Sequence, residues 1–235
     1  MQHTRLEKFT VWFDHSDEFH LIKNEVFTHD VYYTELDSPT PIIIDAGAHI
    51  GLATLYFKKI YPHSKIWAVE PLTENFVLLE KNCQENILED VTCIQAALTG
   101  AGSEVVLYQD SSPQRWFSTA GTSEHAWNGS QNLTYPITVP ALQLSELITD
   151  ISQPINLIKM DIEGSELEVL QQAKDQLEVV NELLIEFHPN AQQSLKEILQ
   201  LLQAHHFSVE LWKDGHSVPL QSARGLLYIQ ARKKE

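Results

Sequence analysis

The sequence predicts an α/β fold, and three observations predict it. The apolar run Ile42-Ile43-Ile44 ends at Asp45, then passes through a turn containing Gly47 and Gly51 into a helical apolar period at Leu52, Leu55 and Tyr56. That succession reads as a buried strand, a tight turn and a helix. Strand-like runs and amphipathic stretches then alternate down the chain, the pattern of strands crossed over by helices. Finally, Asp45, Glu70, Asp161 and His188 each fall at the carboxyl end of a strand-like run, the edge where open α/β sheets bind ligands.

The opening turn is the most informative stretch. Gly47 can take a positive φ and lets a ligand approach bare backbone, and Gly51 lets the helix start pack close to the strand. A dinucleotide fingerprint, G-x-G-x-x-G, brings a pyrophosphate onto a helix N-terminus. Here the pattern is D-x-G-x-x-x-G, without the middle glycine. An acid ahead of the turn suits a ligand carrying a positive group. S-adenosylmethionine has an amino group and a sulfonium and no phosphate. A βα turn without a ligand has the same spacing, so the turn alone does not decide.

A chain of 235 residues favours one domain over 1–235 and can bury a substantial core. Its 43% hydrophobic and 20% charged residues are those of an ordinary globular protein. A formal net charge of −16 argues against nucleic acid or anionic lipid as the main partner. The two cysteines, Cys83 and Cys93, make no disulfide framework and no zinc spacing. They are expected as buried free thiols, which fits a cytoplasmic protein. The first residues lack the apolar core of a signal peptide, and no run approaches a membrane span.

The elements follow in order. Residues 1–40 form an arm or lid ahead of the core. In it Phe9, Val11 and Phe13 alternate as a strand, Asp14-His-Ser-Asp17 reads as a turn, and Glu25 to Tyr33 as a short helix. The first core helix stops near Tyr61-Pro62. Lys65 to Val69 is the second core strand, ending at Glu70-Pro71. An acid there can accept hydrogen bonds from both hydroxyls of a ribose, a feature shared by NAD and S-adenosylmethionine sites. Thr73 reads as the N-cap of a helix through Asn82. Val91 to Gln95 is a third strand, after which the small Ala96 and Ala97 leave room for an adenine and Gln95 can reach its edge. Glu104 to Tyr108 is a further strand.

Residues 109–136 read as a long variable loop, rich in Ser, Thr, Gly, Asn and Gln and carrying Trp116, Phe117, Trp127 and Tyr135. Aromatics among polar residues suit a sugar or other ring-bearing substrate, and equally suit pinning the loop to the core. Strand character resumes at Ile137–Pro140, and Leu144 to Ile148 is a short helix. Ile155 to Met160 is a strand running into Asp161-Ile-Glu163-Gly164-Ser165-Glu166 and a helix to about Ala173. Capping the helix start explains Glu166 better than it explains Asp161. Glu182 to Phe187 is a strand closed by His188-Pro189; Glu186 and His188 share one side of it by period two. A histidine there can titrate near neutrality and act as a general base. Ser194 to Ala204 is an amphipathic helix, and Ser208–Trp212 and Leu226–Ala231 are the last strands, with a turn at Gly215.

These motifs together resemble the FkbM-type S-adenosylmethionine-dependent methyltransferases. The resemblance rests on Ile44-Asp-Ala-Gly-Ala-His-Ile-Gly51, Val69-Glu-Pro71 with Asn75 and Asn82, Ala96-Ala-Leu98, Lys159-Met-Asp-Ile-Glu-Gly-Ser-Glu166 and Leu184-Ile-Glu-Phe-His-Pro189. It covers roughly residues 40–190. One departure is His49, where the family usually has Asn. The resemblance implies a class I fold, a three-layer Rossmann-like sandwich whose seven-stranded, mostly parallel sheet has an antiparallel final strand. It also implies methyl transfer from S-adenosylmethionine to a hydroxyl of a sugar, glycolipid or secondary metabolite.

By the same resemblance, Asp45, Gly47, Ala48 and His49 hold the methionine part beside Gly51. Glu70 with Pro71 holds the ribose, Gln95 and Ala96 border the adenine, and Asp161 and Glu163 line the crevice beside the methyl. His188 is the expected base, oriented by Glu186, with Asp161 as competitor. Asp161, Glu163 and Glu186 are oxygen ligands for a cation, but capping at a helix start accounts for them, and no metal is expected. The rival readings are an NAD-dependent oxidoreductase, opposed by the missing glycine, and a non-catalytic protein that keeps the cofactor pocket.

Overall fold

The structure is a computed structural model and describes residues 1–110, 120–121 and 134–234. The arm begins with a hairpin, β1 (Gln2–Leu6) and β2 (Phe9–Phe13), followed by helix α1 (Ser16–Lys23) and a π-helical turn over Asn24–Thr28. Then come β3 (Ile42–Ala46), α2 (Leu52–Ile60), β4 (Lys65–Val69), α3 (Thr73–Glu85), β5 (Val91–Ile94), β6 (Ala97–Leu98), β7 (Glu104–Asp110), β8 (Ala120–Gly121) and β9 (Thr134–Leu142). The remainder is α4 (Leu144–Ile151), β10 (Leu157–Met160), α5 (Glu166–Gln172), β11 (Glu182–Phe187), α6 (Leu195–Ala204), β12 (Phe207–Lys213), β13 (His216–Ser217) and β14 (Leu227–Lys233).

The main sheet has the order β13-β12-β14-β11-β10-β3-β4-β5. The five strands from β11 to β5 are parallel, and β14 enters antiparallel between β11 and β12. Setting aside the two-residue β13, this is the expected Rossmann-like sandwich with seven strands and a reversed final strand. β3 and β10 lie inside the sheet, and every one of their residues is buried. Both faces of such strands are covered, which is why they read as unbroken apolar runs rather than alternating ones. On one face Ile44, Ile158 and Ile185 pack with Leu147, Leu170 and Ile198; on the other Ile43, Ile66 and Leu157 pack with Tyr56 and Phe57. A smaller sheet, β6-β9-β7-β8, flanks this core.

The arm differs from its prediction. The expected turn at Asp14–Asp17 is the start of α1, and the helix expected over Glu25–Tyr33 is the continuation of α1 through the π-helical turn. Burial of Phe19 and Val26 explains the longer element, because each anchors one of its ends in the core. Arm and sheet are joined at Thr34, whose hydroxyl donates to Glu182 Oε1 at 2.7 Å and accepts from Arg232 of β14 at 3.0 Å. Arg232 also reaches Glu182 at 3.1 Å.

Three further boundaries shift. Thr73 is the first residue of α3, and Leu72 holds the cap position. Asp214-Gly215, with φ of 50° and 76°, turns β12 into β13 rather than directly into β14. The stretch read as a loop over 109–136 is partly the antiparallel pair β7–β9, with Gln109 opposite Tyr135; Trp116, Phe117 and Trp127 lie outside the described residues.

Candidate active site

The larger of two described cavities, about 210 Å³ against about 20 Å³, opens at the carboxyl edge of the parallel strands. Its lining brings together Gly47, Ala48, His49, Glu70, Pro71 and Ala96 with Asp161, Glu163, Glu186 and His188. Gly51 and Gln95 are not in that lining; Gln95 instead donates to Thr73 Oγ1 at 2.7 Å. The arm contributes Leu21, Ile22, Glu25, Val26 and Tyr32.

The floor is set by the β3 turn. Gly47 has φ +77°, and a Cβ there would stand 1.7 Å from the Asp161 carbonyl oxygen, so only glycine lets the two strand ends meet. Asp45 does not face the cavity as expected. It is fully buried beneath it, accepting from the Thr54 hydroxyl at 2.6 Å and standing 3.3 Å from Lys159 Nζ. Lys159, which sequence reasoning quoted only as part of a motif, ties the site together. Its ammonium donates to the Gly47 and Ala46 carbonyls at 2.7 and 3.3 Å and lies 3.6 Å from Asp161 Oδ2. Burial works against its charge, but Asp45, Asp161 and Glu186 outweigh burial and raise its pKa. A lysine in a strand with acids two residues downstream and directly opposite in register was the available signal.

At the second strand, Glu70 is 4% exposed and lines the cavity. Its Oε2 accepts from the His49 N–H at 2.9 Å and its Oε1 from the Leu72 N–H at 2.9 Å. Burial raises its pKa, opposed by His49 and these donors. His49 takes φ 52° and presents Nε2 at 3.4 Å to Glu18 of α1. Burial opposes charge on that ring, yet Glu18 and Glu70 carry its pKa upward.

The opposite end is a cluster of acids round one imidazole. β10 and β11 run parallel with Met160 opposite Ile185, so Asp161 and Glu186 emerge side by side. His188 follows β11 and is 4% exposed. Its Nε2 stands 3.7 Å from Asp161 Oδ1, 3.7 Å from Glu163 Oε2 and 3.8 Å from Glu186 Oε1. Its Nδ1 is 3.1 Å from Glu166 Oε1. Thus Glu166, not Glu186, orients the ring. Burial opposes its charge, but Glu163, Glu166 and Asp161 together push the pKa up to about 10. These acids favour the charged ring, whereas the expected role of general base needs the neutral one. Among the acids, burial lifts Glu163 to about 7 and Glu186 to about 8, with His188 pulling both down and Asp161 pushing both up. Tyr32 closes the cluster from the arm, its hydroxyl 3.4 Å from both Asp161 Oδ2 and Glu186 Oε2.

A Rossmann-like sheet with a reversed final strand, a glycine turn at its centre and an acid ending the next strand places the chain in the class I methyltransferase fold. Residues 45–209 match the methyltransferase FkbM domain. The chain belongs to this family of methyltransferases. It is 29% identical over 174 residues to Methyltransferase 1 of Beauveria bassiana, covering 68% of this chain and 69% of that one. It is 26% identical to the hexuronic acid methyltransferase AglP of Haloferax volcanii, covering 73% and 65%. The crystal structure of an FkbM methyltransferase from Methylobacillus flagellatus shares the fold at a TM-score of 0.52 and 17% identity, over 81% of this chain and 44% of that one. No helix among the described residues is long and apolar enough to cross a membrane.

Proposed function

We propose that this methyltransferase uses S-adenosylmethionine and methylates a hydroxyl of a sugar, glycolipid or secondary metabolite. The observation that carries the reading is one cavity with a buried diol-accepting acid at one end and an acid–imidazole cluster at the other. The residues present fit the cofactor. Glu70 Oε2 keeps acceptor capacity beyond its one backbone donor for a ribose hydroxyl, while Oε1 accepts from the Leu72 N–H and, at 3.4 Å, from the Asn75 amide, a longer contact that a second hydroxyl would replace. Ala96, Ala97, Leu98 and Leu107 supply an apolar wall for a base, and the acids at the far end complement a sulfonium. Gly47 to His49 would take the amino-acid part. Asp45 supports that turn from beneath through Lys159. When bound, the cofactor supplies an electrophilic methyl group on sulfur.

The chain's own residues then position the acceptor and take its proton. An alcohol is barely ionised at neutral pH, so deprotonation accompanies attack. Asp161 and Glu186 are tethered to Tyr32, and Asp161 also to Lys159. Glu163 lines the cavity 3.7 Å from His188 Nε2, burial raises its pKa from the ordinary carboxylate range, and it takes the base role in this reading. His188 balances the charge of the cluster. The arm's Leu21, Ile22 and Val26 exclude water from this end. The hexuronic acid methyltransferase among the relatives supports a sugar-type acceptor.

Calorimetry with S-adenosylmethionine, S-adenosylhomocysteine and NAD tests the cofactor, and a panel of hydroxyl acceptors with methyl-labelled cofactor tests transfer. Saturable binding of the first two alone and label in an ether product are expected. Binding of NAD instead, or cofactor binding with no transfer to any acceptor, would favour the oxidoreductase or the non-catalytic protein.

A further inference from the structure

We propose that His49 is a positioning residue that, through Glu18, fastens α1 of the arm over the cavity. The two residues belong to different layers of the site. His49 sits in the turn after β3, takes φ 52° and has its backbone N–H on Glu70 Oε2 at 2.9 Å. Its ring reaches the arm, where Nε2 stands 3.4 Å from Glu18 Oε1. Both ring nitrogens are closed off from solvent, and neither has an aligned hydrogen bond among the described residues, so the contact is a charge pair. Glu18 is 4% exposed, and a carboxylate that deep is stabilised by a cation within reach. Leu21 and Ile22 follow Glu18 by three and four residues, which puts them on its face of α1, and both line the cavity. Holding Glu18 therefore sets where these two side chains rest.

The rest of the arm is moored on either side of this contact. Asn82 and Asn86, at the end of α3, bond the backbone of Trp12 and Thr10 in β2. Thr34 is tied to Glu182 and Arg232. Phe19 packs α1 with Phe13, Leu52 and Leu55 through apolar contact, which has no preferred direction. The Glu18–His49 pair adds a contact of fixed geometry between α1 and the glycine turn. It also links the arm to the ribose acid, because one ring faces two buried carboxylates. Glu18 comes from α1 and Glu70 from the end of β4, with Asp161 and Glu163 beyond β10 at longer range. Asp14, His15 and Glu74 share the small second cavity with Glu18. Burial opposes charge on the ring, and Glu18, Glu70 and Asp161 outweigh it. The pair's contribution is therefore fully present below the ordinary histidine value of 6.5 and is lost as pH rises through the higher folded value. In that range the ring gives up its hold on Glu18 and withdraws a positive charge from beside Glu70. The effect on cofactor affinity rests on the S-adenosylmethionine reading; the latch itself does not.

The test uses the full chain. Amide hydrogen exchange of α1 is followed without ligand, as protection factors, from about pH 6 to about pH 9. The wild type is compared with Glu18→Gln, His49→Asn and the double variant; Gln keeps the shape of Glu18, and Asn accepts the left-handed backbone at position 49. Each single variant is expected to lose about 10-fold in α1 protection at the acid end, and the double variant no more than either single. The wild type should fall to the same level as pH rises. Unchanged protection in both singles, additive losses in the double, or a wild-type profile as flat as that of His49→Asn overturns the latch. Should the variants fail to fold, the wild type decides. Protection that falls along the titration of the His49 ring, followed by nuclear magnetic resonance, supports the latch, and protection indifferent to it overturns it. Calorimetry with S-adenosylhomocysteine over the same range reads the link to the cofactor. Affinity should fall with rising pH in the wild type and lose that fall in His49→Asn, the ligand's own amine titrating alike in both. Equal profiles overturn the link. No binding at any pH is instead a failure of the cofactor reading, and the exchange data still judge the latch.

Discussion

Replacing Lys159 with methionine tests how the glycine turn and the acid cluster are held together. The substitution keeps the volume of the chain but removes a charge that is 2% exposed. Asp45, whose Oδ1 is 3.3 Å away, then sits fully buried with the Thr54 hydroxyl donating to its other oxygen, and Asp161 loses a cation at 3.6 Å. With an effective dielectric of about 20, the Asp45 contact alone amounts to about 5 kcal/mol of attraction. Part of that offsets the desolvation of both ions, so the expected net loss is about 3–5 kcal/mol, the cost of stranding one partner of a buried pair. For a chain of this size that lowers the melting temperature by roughly 10 °C. Denaturant unfolding of the wild type, Lys159→Met, and Lys159→Met with Asp45→Asn measures it. The double variant should regain a large part of the loss, because the stranded charge is gone. The pH dependence has a definite sign. A raised lysine pKa contributes stability that is fully present below the ordinary value of 10.5 and is lost as pH rises through the folded value. The deficit of the variant should therefore be constant through neutral pH and narrow only above that range. A loss under about 1 kcal/mol, or a double variant no more stable than the single, would refute the reasoning.

Glu70→Gln should weaken S-adenosylmethionine binding about 10- to 100-fold by calorimetry, since one oxygen that would accept from a ribose hydroxyl becomes a donor. Gly47→Ala should destabilise the fold by at least about 2 kcal/mol and abolish cofactor binding, because the new Cβ meets the Asp161 carbonyl in a left-handed conformation; thermal unfolding and calorimetry read both. Among the thiols, Cys93 should be alkylated first and Cys83 resist, since Cys83 Sγ, 3.8 Å away, lowers the Cys93 pKa while its own is raised; peptide mass analysis after brief iodoacetamide treatment gives the order.

The sheet was legible because each core strand announces itself locally. Ile42–Ile44 and Leu157–Ile158 are apolar on both faces, and each run meets a charged residue, Asp45 or Lys159, one position before its strand ends. Helix α1 was not legible, because Asp14, Ser16 and Asp17 are turn formers and the helix owes its stability to Phe19 reaching a core cluster made with Leu52 and Leu55. In the site, sequence spacing brought Glu186 next to His188 but could not show that Glu166 holds the ring, since that contact spans 22 residues and depends on how α5 leaves β10. The upward pull on the His188 pKa was hidden for the same reason: it is the sum of acids from separate strand ends. Asp45 and Lys159 show the converse. Both sit in the motifs that identify the family, yet one lies wholly below the cavity and the other braces the carbonyls around it.

The insertion of β14 between β11 and β12 sets an order of events during synthesis. The parallel strands β3, β4, β5, β10 and β11 are all made before β14, and so before Arg232, which anchors Thr34 of the arm. A chain still leaving the ribosome can assemble the floor of the cavity while β11 keeps a bare edge and the arm has only part of its mooring. The roof over the acids is therefore fastened after its floor, by a residue nearly two hundred positions away from the one it secures.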